Sequence, residues 1–429
     1  MFTLLSDWLD AFTGLWITFF YHIAILIVVL QIRKQIMIER RMHLVQVHSY
    51  WDQLWRVIFG GAIGGISISA FFILVGTSLT IDMLIILWAV SLLLALFRVR
   101  WLCFAYAGGI LGILHVIARV WTNLSGQSEN AFRWIELLST LHISSLFLLI
   151  GILHIIEALF VYIWGGKMAI PLFFRGKRGR PIGGFFLQGS WPIPILIFTP
   201  VGVLQTGWDN AWMVLAFPVM IGFSVWTTSN LVERKVRRSS SRLLLYGVAM
   251  ILIGITANTY DEIWIIVLGS LVSIGIHEWI VQWAKREEEL KRPLFAHDHR
   301  GLKVLSTYSV PTVLNSDILS GDIIHRVNGQ KVMTVAEFHE AFRLNSAFVK
   351  LEVVDHRGEL KLIERAINAQ ENHLLGLFFA PSDDAMYYVD EREGGIFTFL
   401  RYHRKKRGSY APQSSGATTG VSDSTTISP

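Results

Sequence analysis

The sequence predicts an α-helical polytopic membrane bundle of about nine spans, followed by a small α+β domain in the cytoplasm. Three observations carry this. Only 16% of the 429 residues are charged, against about a quarter in soluble domains. The apolar residues gather into uncharged runs of about 15 to 25 between Ala11 and Trp283, the length of a bilayer-crossing helix. Beyond Arg292 the pattern changes to short alternating segments separated by turn dipeptides, which reads as strands.

The candidate spans are 11–30, 57–79, 83–97, 101–118, 137–163, 192–207, 211–229, 243–259 and 263–283. Those at 83–97 and 192–207 are short enough to be re-entrant, and Pro192, Pro194 and Pro200 weigh against helix in the second. Basic residues set the orientation, because cytoplasmic loops retain Lys and Arg. One set of alternate loops holds Arg33, Lys34, Arg40, Arg41, Arg56, Arg98, Arg100, Lys167, Arg175, Lys177, Arg178, Arg180 and the cluster from Arg234 to Arg242. The opposite set holds Arg119 and Arg133 beside Asp82, Asp209, Asp261 and Glu262. An odd number of spans satisfies both, with the N-terminus outside and everything after "AKREEELKRP" cytoplasmic. This divides the chain into a membrane domain (1–283), a charged linker (284–300), the α+β domain (301–381) and a tail (382–429).

The net charge of +6 hugs the span ends and is no signal for nucleic acid. "MFTLLSDWLD" lacks the basic n-region of a cleavable signal peptide. Cys103 is the one cysteine, which excludes an intrachain disulfide and a cysteine-based zinc site and leaves a buried inert thiol. Gly60, Gly61, Gly64, Gly65, Gly108 and Gly112 form small faces suited to close helix packing in lipid.

Ionisable groups are costly in hydrocarbon. His22, His115, His142, His154, Glu157, His277 and Glu278 lie in apolar stretches. His154 and Glu157, three residues apart, share a helix face; they form either a structural pair or a transporter's proton relay. "HEWIV" from His277 has Val281 where an HExxH zinc motif needs its second His. "GGISIS" offers Ser67 and Ser69 without a placed partner, and no phosphate-binding loop occurs. The expectation is therefore no enzyme, no catalytic residue, no metal and no cofactor. The alternatives are an intramembrane protease with a peptide-binding substrate selector, or a transporter using His154 and Glu157.

In the cytoplasmic segment "GLKVLSTYS" (Gly301 to Ser309) reads as a strand, and "IIHRVNG" as another, closed by the turn Asn328-Gly329. Thr334 and Glu337 have capping-box spacing, opening a helix to Leu344 with Val335, Phe338, Ala341 and Phe342 on one face. "FVKLEVVD" and "ELKLIERA" form a hairpin, and "HLLGLFFAP" ends the segment as an apolar strand.

Leu319, Gly321-Asp322, Ile324 and Val327-Asn328-Gly329, with the helix from Thr334 and the paired strands, resemble a PDZ domain over residues 293–381. That resemblance implies a peptide or protein ligand added as an extra strand between a sheet edge and the helix. The groove is then Leu374, Leu375, Gly376 and Leu377 as carboxylate loop, Phe378 and Phe379 as strand, and Val335, Phe338 and Phe342 from the helix. The loop comes last in the chain, as in a circular permutation; the other reading makes 374–379 an ordinary core strand. Gly321, Asp322, Asn328 and Gly329 shape turns. Beyond it, "FTFLRYHRKKRG" either binds anionic membrane lipids or is a solvated linker, and the Ser/Thr-rich end is expected to be disordered.

A polytopic bundle, this domain, and the stretch "LHIIEALFVYIWGGKMAIPLFFRGKRGRPIGGFFLQGSWPIPIL" together resemble the MinJ-like cell-division topological determinants of Gram-positive rods. The resemblance implies a scaffold in the bacterial plasma membrane, enriched at septa and poles. It would link a DivIVA-like polar protein to a MinD-like membrane ATPase in septum placement.

Overall fold

A computed structural model describes residues 19–43, 47–77, 79–125, 133–177, 179–200, 212–307, 318–345, 347–355, 357–366 and 376–382. Its membrane part contains helices α1 (Phe19–His43), α2 (Tyr50–Val75), α3 (Ile81–Phe97), α4 (Phe104–Ser125), α5 (Arg133–Ser139), α6 (Ile143–Trp164), α7 (Val232–Tyr260) and α8 (Ile263–Leu290). Six of these are long and apolar enough to cross a membrane, and α3 is a shorter apolar helix. Local chemistry sets several ends. Thr80 caps α3 by accepting a hydrogen bond from the Met83 amide, and Gly76 ends α2 in the left-handed region at φ 71°. The expected span 137–163 is two helices, α5 and α6, interrupted at residues 140–142.

Where the structure describes them, the spans expected at 192–207 and 211–229 are strands and not helices. Between α6 and α7 the chain forms an antiparallel sheet, β1 (Ala169–Arg175), β2 (Pro181–Pro200) and β3 (Trp212–Thr227), in the order β1-β2-β3. The prolines explain both the failure and the alternative. Proline cannot donate within a helix, but a residue's N–H and C=O leave a strand on the same side. The carbonyls of Pro192 and Pro194 face α2, so their missing N–H groups also lie on that edge, away from the ladder to β3. Leu196, next in this series, gives its N–H to Ser69 Oγ on α2 at 2.9 Å. Trp191, Ile193 and Ile195 alternate with these residues and are wholly buried.

The glycine face of α2 therefore meets this strand, not another helix. A Cβ on Gly61 would stand 2.1 Å from the Pro192 carbonyl oxygen, and one on Gly65 would stand 2.1 Å from that of Pro194. Four helical residues rise about 6 Å and two strand residues about 6.6 Å, so the two spacings match. Gly108 and Gly112 of α4 do serve helix packing, against Ile150 of α6 and Ser270 of α8. Gly151 of α6 and Gly247 of α7 face each other's backbone.

The C-terminal part is a six-stranded antiparallel sheet of β4 (Leu302–Thr307), β5 (Ile323–Val327), β6 (Gln330–Lys331), β7 (Phe348–Val354), β8 (Leu360–Ala366) and β9 (Leu377–Phe379). Its order is β8-β7-β5-β4-β9, with β6 paired to β5. Helix α9 (Val335–Arg343) covers one face and buries Phe338, Ala341 and Phe342. Its start follows the capping-box spacing: the Glu337 amide donates to Thr334 Oγ1 and the Met333 amide to Glu337 Oε2. Residues 284–300 are partly the end of α8 and partly a strap tied to the membrane sheet. There Gly183 donates to the Phe295 carbonyl at 2.8 Å and Leu294 to that of Thr228 at 2.7 Å.

Candidate functional site

The face expected to bind a peptide lies between α9 and β9, the end strand of the sheet. Leu374 and Leu375 fall outside the described residues, as does the basic tail. Gly376 adopts φ 63°, a conformation that a side chain would strain. Along β9 the side chains alternate. Leu377 and Phe379 pack on the domain's own core, with the Phe379 ring 5.0 Å from that of Phe338. Phe378 turns the other way, into a cluster with Phe185, Phe295 and Leu305 that joins the domain to the membrane part. On the helix, Phe338 and Phe342 fill the core, whereas Val335 is 41% exposed. Accessible surface on this face thus comes from half-buried Leu377 and Phe379 along β9 and from Val335, while Gly376 itself is buried.

The turn residues frame that face. Gly321 (φ 99°), Asn328 (φ 49°) and Gly329 (φ 83°) are left-handed. Buried Asp322 accepts from the Leu319 amide at 3.0 Å. Asn328 binds α9 to the sheet: its Nδ2 donates to the Ala341 carbonyl at 2.9 Å, and its Oδ1 accepts from the Lys350 amide at 2.9 Å.

Inside the membrane part, α4, α6, α7 and α8 bring polar side chains together. His154 and Glu157 are both buried on α6. The His154 ring uses Nδ1 on its own Ile150 carbonyl at 2.7 Å. Its Nε2 lies 3.5 Å from Cys103 Sγ, and His277 Nε2 lies 3.6 Å from the same sulfur. Tyr246 and Tyr106 pack their rings against these imidazoles at 4.7 and 5.0 Å. No hydrogen bond joins His154 to Glu157 among the described residues. The sequence pairs His154 with its helical neighbour; the fold brings it instead to a cysteine and a histidine far away in the chain. Neither residue carries a local motif, so no signal in the sequence marks the convergence.

Glu278, beside His277, belongs to a separate network. It accepts from Arg100 Nη2 at 2.9 and 3.1 Å, from the Tyr106 hydroxyl at 2.6 Å and from Gln282 Nε2 at 2.7 Å. Ser69, the buried serine of "GGISIS", donates to the Gly65 carbonyl at 2.7 Å and accepts from the Leu196 amide. Both are committed to packing contacts.

No protein-family model matches the chain, and no solved structure matches it significantly. Among curated proteins it is 24% identical over 357 residues to the cell division topological determinant MinJ of Bacillus subtilis, covering 80% of this chain and 88% of that protein. It is 23% identical to the probable MinJ of Lacticaseibacillus paracasei, with 81% and 91% covered. A protein of that name in Lacticaseibacillus casei matches equally. The likeness to MinJ read from the motifs thus extends over most of the chain.

Proposed function

We propose that this chain is a non-catalytic membrane scaffold in septum placement, whose PDZ-like domain recruits division-site proteins. The single observation carrying a cell-division role is the likeness to MinJ proteins across four-fifths of the chain; these relatives are named as topological determinants and not as enzymes. The site geometry supports the PDZ-like reading: an end strand beside a helix, preceded by a left-handed glycine, suits strand addition by a peptide. A DivIVA-like polar protein and a MinD-like ATPase are the partners proposed, together with lipid contacts of the basic tail.

Seven crossings fit the charge asymmetry, namely the six long helices and α3. The strands β2 and β3 then enter and leave on the cytoplasmic side. Non-helical backbone at membrane depth is tolerated where protein surrounds it, and α2 supplies that cover. The count is odd, so the N-terminus is outside and the C-terminal domain cytoplasmic.

The test uses the full-length chain in its host, replacing the native gene. Gly376→Trp is expected to keep membrane insertion but lose co-purification of division proteins, and septa should then form near the poles. A chain lacking residues 301–381 that still captures those partners and places septa at midcell would overturn the proposal.

A further inference from the structure

The structure assigns a transition-metal site, of the kind that takes Zn2+, to Cys103, His154 and His277, where the start of α4 meets α6 and α8. These residues come from the turn before α4, from α6 and from α8. Their ligand atoms all lie within 4.8 Å of one another. A tetrahedral zinc with Zn–S near 2.3 Å and Zn–N near 2.0–2.1 Å places sulfur and nitrogen about 3.5 Å apart. The observed Sγ to Nε2 separations are 3.5 and 3.6 Å.

Two further observations point to a cation. First, the His154 Nδ1 proton is engaged by the Ile150 carbonyl at 2.7 Å, which leaves the Nε2 lone pair facing Cys103. Metal-bound histidines are usually oriented by such a second hydrogen bond. Second, the Cys103 sulfur faces the Nε2 atoms of two imidazoles from different helices at once, so three soft donor atoms converge on one point of an apolar interior, the donor set that suits zinc. A cation between the three atoms accepts both nitrogen lone pairs and the sulfur together. On binding, the thiol S–H bond breaks, a sulfur–metal bond forms and the proton leaves to solvent. Glu157, one turn along the same face of α6 and buried, is placed to offset the remaining positive charge. A single cysteine therefore does not exclude a cysteine-containing site, because the other ligands come from distant helices. The role is structural: it pins α6 and α8 to the start of α4.

Co2+ substitution tests this on the wild-type full-length chain in detergent, with any polyhistidine tag removed. Since Cys103 is the one cysteine, a thiolate-to-cobalt charge-transfer band can arise only there. The expected result is that band at stoichiometric Co2+, its loss on adding Zn2+, and its absence in Cys103→Ser. His154→Ala and His277→Ala should weaken binding, while His115→Ala, outside the cluster, should not. A wild-type chain that takes up no Co2+, or binds it without the thiolate band, overturns the assignment whether or not the variants fold.

Discussion

Gly61 on α2 and Pro192 on β2 meet backbone to backbone: a Cβ on the glycine would sit 2.1 Å from the proline's carbonyl oxygen. A backbone carbonyl held in a sheet cannot step aside as a flexible side chain would. Gly61→Ala is therefore expected to destabilise the membrane part by about 1–3 kcal/mol, the range for overpacking. Gly275→Ala on α8 meets nothing within 4 Å and should be neutral or slightly stabilising. Thermal unfolding of the two variants in detergent checks the contrast.

A second prediction concerns the buried node where the sheet meets the helices. Glu288 accepts from Thr227 Oγ1, the Thr228 and Ser229 amides, Ser229 Oγ, Asn230 Nδ2 and Lys235 Nζ. Its ion pair with Lys235 is 2.8 Å long and almost fully buried. Removing one partner of such a pair typically costs about 3–5 kcal/mol. Glu288→Ala should cost more than Lys235→Ala, because it orphans several donors at once. Limited proteolysis near residues 227–232 should report the difference.

Asn328 offers a separable test in the C-terminal domain. Asn328→Gly keeps the left-handed turn but loses the bonds to Ala341 and Lys350, at about 1 kcal/mol each. Asn328→Ala loses those bonds and strains the turn by about 1–2 kcal/mol more. Hydrogen exchange in β5 and β7 should therefore rise in the order wild type, Gly, Ala.

Phe378 and Phe379 are neighbours with opposite duties. Phe379→Ala removes a ring from the domain core and should loosen α9. Phe378→Ala should leave the domain folded and weaken its seating on the membrane part, since the ring belongs to the cluster that holds Phe185, Phe295 and Leu305. Equal hydrogen-exchange protection of α9 in the two alanine variants would contradict this division of labour.

The strap before β4 supplies a pH dependence. Hydrogen bonds from Arg300 hold the Asp298 carboxyl below its ordinary range, against a smaller opposing effect of burial. Because the folded value is depressed, the stabilisation is present above the unfolded carboxylate value, about 3.9. It is lost as pH falls below that value toward the folded one. The pair is partly exposed, which keeps the effect to about 1 kcal/mol or less. Protection of residues 298–305 should fall on acidification from pH 5 to pH 3, and Asp298→Asn should remove that dependence.

The sequence by itself determined that the first part is apolar helix, the existence of helices α2, α4, α7 and α8 though not their ends, most of which lie several residues from the expected bounds, and the local punctuation of the C-terminal domain. Those features depend on charge-free length, on Thr334 with Glu337, and on Asn328-Gly329, all of which act through neighbours in the chain. Only the tertiary structure decided that residues 192–200 and 212–227 are strands. Apolar runs of that length satisfy helix and buried strand alike; the choice rests on which edge carries the missing proline donors and on glycines well over a hundred residues away. It also decided that Phe378 faces the membrane part and that Cys103 meets His154 and His277. Contacts between distant segments leave no period in the sequence, because each ligand or ring is set by the packing of its own element.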